Sequence, residues 1–141
     1  MRYHVTALIL AFSISLLGCG SSGPPRASIQ GAVSLNGQPI TKGTITFVPV
    51  AGSTGGSSAA SEILEGKYNI PADKGPTFGK YRVEIRWSKK TGNKIEMGSP
   101  APPGTMVDEV KEAVPEKYNT KSTLEKEINS TKHDFEFKLD S

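Results

Sequence analysis

The chain contains one cysteine, Cys19, two histidines, His4 and His133, and one tryptophan, Trp87. A lone cysteine closes no disulfide within the chain, so the fold rests on burial alone. Metal centres and catalytic dyads that draw on several imidazoles or thiolates are excluded by count, and no cofactor is called for. Charge of one sign is scarce as well. Against 17 Lys and Arg stand 14 Asp and Glu, for a net +3 without any basic tract, which disfavours nucleic acid as a partner. Long apolar runs are missing everywhere except at the N-terminus.

That one run is informative. Met1 to His4 carries the cation of Arg2, and Val5 to Leu17 is apolar apart from Thr6, Ser13 and Ser15. This is the layout of an export signal, too short and wrongly flanked for a stable membrane-spanning helix. It closes on Leu16-Leu17-Gly18-Cys19, which resembles the lipobox of bacterial lipoproteins. The resemblance implies that residues 1–18 are a signal peptide and that Cys19 becomes the lipidated first residue of the mature protein. The mature chain is then expected to be exported and anchored to the cell membrane or outer membrane, its domain facing the periplasm or the exterior. Residues 19–27 read as the lipidated cysteine and a flexible tether, because Gly20 to Pro25 is all small or stiff residues with nothing to bury. Residues 28–141 are long enough for one domain with one core.

Within that domain the apolar pattern has a period of two. Ile29, Val33 and Leu35 share a face with Gly31 between Ser28 and Leu35, and Asn36-Gly37, a strong hairpin signal, follows. Ile45 and Phe47 point inward from Thr44 to Val48, which Pro49 stops. Ala59 to Leu64 and Lys67 to Ile70 flank a Glu65-Gly66 turn. The clearest strand is Gly79 to Trp87, with Tyr81, Val83, Ile85 and Trp87 on one side and Lys80, Arg82, Glu84 and Arg86 on the other, as expected at the centre of a sheet with one wet face. Thr123 to Ile128 and Asp134 to Leu139 complete a set of about seven strands. The pattern predicts an all-β, antiparallel β-sandwich.

Ser88 to Ala113 interrupts it. Pro100-Ala101-Pro102-Pro103-Gly104 stiffens the middle of this long insertion. Beyond it Thr105 and Asp108 resemble a capping box, and Val107, Val110 and Val114 recur at helical spacing, which predicts a short helix.

Several blocks resemble the small bacterial lipoproteins that carry a transthyretin-like (prealbumin-like) or carboxypeptidase-regulatory-like β-sandwich. They are Gly31-Ala32-Val33-Ser34-Leu35-Asn36-Gly37-Gln38-Pro39-Ile40 with Gly43 to Pro49, Gly66-Lys67-Tyr68-Asn69-Ile70, Gly79 to Ile85, Val114 to Asn119 with Ser122-Thr123-Leu124, and Asp134 to Leu139. The resemblance implies a fold and a location and brings no catalytic residues. Lys126 departs from the pattern, falling between Leu124 and Ile128 on the inward face, where it must snorkel or sit at a bulge.

The expected function is a lipid-anchored, non-enzymatic binding or scaffolding module at the cell envelope, held to the membrane through Cys19 and engaging an envelope protein or glycan. Two surfaces could carry it. Ile95, Met97 and Met106, apolar residues without a place in the alternating core, make the insertion a candidate partner-binding loop. Lys80, Arg82 and Arg86 make the wet face of the strongest strand a candidate site for an anionic envelope polymer, although Glu84 sits among them. Tyr68, Tyr81 and Trp87 are in phase with the core rather than with a sugar platform. A divergent hydrolase is the remote alternative: His133 and Asp134 are adjacent, but strand neighbours point to opposite faces and no Gly-x-Ser-x-Gly elbow exists. Asp108, Glu109 and Glu112 form no recognised cation loop and read as a wet face, with no metal expected.

Overall fold

A computed structural model of the protein describes residues 23–54 and 56–141. The leader, Cys19 and residues 20–22 of the tether lie outside the described residues. Ten strands are present among the described residues, β1 (Ser28–Leu35), β2 (Gln38–Pro39), β3 (Lys42–Pro49), β4 (Ala59–Leu64), β5 (Lys67–Ile70), β6 (Gly79–Arg86), β7 (Ser88–Glu96), β8 (Met106–Glu112), β9 (Glu125–Ile128) and β10 (Lys132–Leu139), with a 3-10 turn at Glu116–Tyr118. The seven expected strands are all there, as β1, β3 to β6, β9 and β10.

Alternation puts the core where the sequence places it. Ile29, Val33, Leu35, Ile45, Phe47, Ile63, Tyr68, Ile70, Phe137 and Leu139 are buried, as are all four large residues from Tyr81 to Trp87. Eight strands form one sheet in the order β10-β1-β5-β4-β3-β6-β9, with β2 attached to β1. In a flat sheet β3 and β10 would lie about 19 Å apart, at ~4.8 Å per step. Yet the rings of Phe47 on β3 and Phe135 on β10 have centroids 6.4 Å apart, so the sheet curls into a sandwich-like half-barrel and folds its inner face onto itself.

Three expectations need correction. The sheet is not wholly antiparallel, because β1 and β10 run parallel from Ser28↔Lys132 to Leu35↔Leu139. The Asn36-Gly37 turn does form, both residues having positive φ, but it returns the chain only into the two-residue β2, and β3 pairs instead with β4 and β6. The third concerns β6, which is next to the edge strand β9 rather than central.

Gly31 shows why a small residue is needed on β1. A Cβ there would stand 2.0 Å from the Phe135 carbonyl oxygen. The same oxygen accepts a 3.0 Å hydrogen bond from the Tyr68 hydroxyl, which reaches it from β5, on the other side of β1. Burial, and secondarily the charge of Asp134, push the Tyr68 hydroxyl well above its ordinary range. Lys126, on the edge strand β9, is half-buried, its ammonium lying 5.2 Å and 5.6 Å from the ring centroids of Phe135 and Phe137.

Candidate functional site

The segment expected to be a loop with a short helix is a β-hairpin arm. β7 and β8 pair with each other in a two-stranded sheet of their own, separate from the body. The helical spacing of Val107 and Val110 is coincidental: β-branched valines favour extended backbone, and successive residues of β8 alternate across the ribbon. At ~3.3 Å per residue the nine residues of β7 reach about 30 Å. Every one of them is exposed.

The base of the arm is built tightly. Glu112 Oε1 accepts hydrogen bonds from the buried Trp87 N–H at 2.8 Å and from the Val114 N–H at 3.0 Å. The Ala113 N–H donates to the Trp87 carbonyl at 2.8 Å, and the Lys89 ammonium lies 3.7 Å from the Trp87 ring centroid. Glu112 was legible only as one of three nearby carboxylates, and its work is to pin the arm to the body. Farther out, a bulge between Lys90 and Lys94, with Gly92 at φ 89°, turns Thr91 and Asn93 toward Glu109. The Thr91 hydroxyl and the Asn93 amide donate to its Oε2 at 2.6 Å and 3.1 Å, and Lys111 pairs with Oε1 at 3.2 Å. Together, Thr91 first, they hold the Glu109 carboxyl down to about 2. Lys90 and, less strongly, Lys94 lower the Asp108 carboxyl below its ordinary value across the strand pair.

The register divides the predicted apolar trio. Ile95 stands opposite Val107, and Met97, whose N–H donates to the Thr105 carbonyl, follows on the same face. Met106 is opposite Glu96 and shares the reverse face with Asp108 and Val110. So Ile95 and Met97 come together, with Val107 as a neighbour that sequence reasoning assigned to a helix, while Met106 does not join them. Ile95, Met97, Met106 and Val110 are each about half exposed or more, at 48%, 49%, 52% and 58%. No interior claims these side chains.

Lys80, Arg82 and Arg86 do line the outer face of β6, but the register surrounds them with carboxylates. Lys80 is opposite Glu127 and Arg82 opposite Glu125 on β9, and Arg82 bonds Glu84 at 2.7 Å. Three cations thus share their face with three anions. His133 Nε2 faces the Asn129 and Ser130 N–H groups at 3.3 Å and 3.2 Å and the Ser130 hydroxyl at 3.3 Å, which ties it into the turn before β10, while Asp134 takes a bond from Gln30 on the outer face. Among the described residues no group of three or more His, Cys, Asp and Glu is placed to hold a metal ion. A concavity of about 830 Å³ is an open saddle on the outer face of β1, β4, β5 and β10, lined chiefly by Gln30, Glu62, Asn69, Asp134 and Glu136.

No family model matches the chain, and no curated protein or solved structure matches it either. The functional reading therefore stands on the chain's own residues.

Proposed function

We propose that this chain is a lipid-anchored cell-envelope module without catalytic activity, a transthyretin-like sandwich whose β7–β8 arm docks a protein partner. The carrying observation is the arm itself, about 30 Å of paired backbone standing clear of the body with apolar side chains on both faces. Two-stranded hairpins gain little stability alone in water, and exposed Ile and Met lose none of their hydration cost there. Such a structure suits a surface that is completed on contact. The lipobox-like Leu16-Leu17-Gly18-Cys19 supports the location.

Two variants test it. Replacing residues 91–109 by a short Gly-Ser turn keeps Trp87 and Glu112 and is expected to leave the melting midpoint almost unchanged while eliminating the crosslinked partner in intact cells. Cys19→Ser is expected to abolish lipid labelling and release the chain in soluble form, since the acyl chains supply about 0.8 kcal/mol per buried methylene. Retained crosslinking without the arm would sink the docking role. Polysaccharide binding through Lys80, Arg82 and Arg86 is the second reading, and the carboxylates among them weaken it; it requires the chain to sediment with purified wall material.

A further inference from the structure

We infer that the partner seated on the Ile95, Met97 and Val107 face of the arm is a second copy of this chain, its arm stacked face to face on the first. The inference rests on the docking role of the arm and names the occupant. Three features of that face point to a like surface. Residues 88–112 carry four lysines and four carboxylates, so two arms meet without net repulsion. The charges on this face are already engaged within one chain: Glu109 with Thr91, Asn93 and Lys111, and Lys89 over Trp87. The reverse face, by contrast, interrupts Met106 and Val110 with the Asp108, Lys90 and Lys94 cluster.

The geometry is self-complementary. A two-fold axis running along the arm turns the face onto itself and lays β7 over β8 of the second copy. Because Ile95 and Val107 are register partners, Ile95 then covers Val107 of the second copy and the reverse, and Met97 covers Thr105. The same axis leaves both arms pointing one way, so both chains leave the pair toward one side, as two tethers on one membrane require.

Size sets the strength. A ribbon about 30 Å long and 10 Å wide buries roughly 600 Å² over both copies, about half of what a stable interface needs. The pair is therefore weak in solution and forms where anchoring raises the effective concentration.

The test uses the full lipid-anchored chain in native membranes. Thr105→Cys places a thiol on the apolar face and Val110→Cys one on the reverse, with wild type as the control for Cys19. With a short bismaleimide, Thr105→Cys is expected to give a band of twice the monomer mass at least fivefold stronger than Val110→Cys, and Ile95→Ser with Met97→Ser to erase it. Equal bands, or a stronger one from Val110→Cys, overturn the inference. An adduct of Thr105→Cys with a different protein overturns it and leaves the docking arm standing. No adduct from Thr105→Cys overturns the inference, and the docking role is then decided by crosslinking of the arm-replaced chain. Sedimentation equilibrium of the wild-type chain, which needs no new thiol, provides a second measurement: a mass average rising toward the dimer near about 1 mM supports the pair, and a strict monomer there together with no band in membranes ends it.

Discussion

A missing side chain at Gly31 and a hydroxyl at Tyr68 hold the first and last strands in contact, and both can be tested singly. Gly31→Ala drives a methyl into the Phe135 carbonyl, where backbone must move, and is expected to cost about 3 kcal/mol in urea melts. Gly98→Ala, which meets nothing within 4 Å, is expected to cost under about 0.5 kcal/mol. Tyr68 supplies a pH limit. Its folded-state value lies above the ordinary 10.0, so the neutral hydroxyl contributes stability that is fully present below pH 10.0 and is lost as pH rises through the folded value. The melting midpoint is expected to fall on the alkaline side of pH 10.0, and to fall less in Tyr68→Phe. Inward residues such as Val83 and Ile85 were legible because a half-buried strand writes its phase into hydropathy. The inward position of Lys126 was legible for the same reason, as an ion out of phase. The fit of Gly31 against Phe135 was not, since it joins residues 104 positions apart that no local pattern links.

At the level of the element, the arm is the part that the pattern concealed. Strand alternation is visible when one face is dry, and here both faces are wet, so polar and apolar residues mix on each. Pro100, Pro102 and Pro103 mark the connection at its tip and give no hint of the strands on either side. The carboxylates that looked like a wet helix face are the stitches of the ribbon. Glu109 has a folded value of about 2, below its ordinary 4.5, and Asp108 one below its ordinary 3.8, so each contribution is present above the ordinary value and is lost as pH falls through the folded one. Protection factors of the amides of residues 107–111, taken against the unfolded-chain rate at each pH, are therefore expected to fall between pH 4.5 and pH 2.5 while those of β1 and β6 hold. Equal loss of protection in the body would assign the acid transition to the sandwich. Glu109→Gln is expected to weaken that dependence, since the amide keeps a carbonyl for Thr91 and loses the charge that Lys111 meets.

Across the whole molecule, seven of the ten strands and the core position were readable, but strand order was not, because pairing between distant segments leaves no periodic trace in either one. The parallel contact of β1 with β10 makes the C-terminus structural. Removing residues 132–141 uncovers the β1 edge at Ile29, Val33 and Leu35 and takes Phe137 and Leu139 from the core, and the truncated chain is expected to lose its cooperative urea transition. A truncated chain that still melted cooperatively would mean that β10 covers the sheet without completing it. The parallel contact also orders events in time. Every partner of β1 on β10 is made 104 residues later, so the strand synthesised first in the domain waits for nearly all of the rest before its edge is closed. Such non-local pairing slows folding. Under the proposed export, that delay would keep the chain threadable: the sheet would be sealed only once the strand that closes β1 had emerged on the far side.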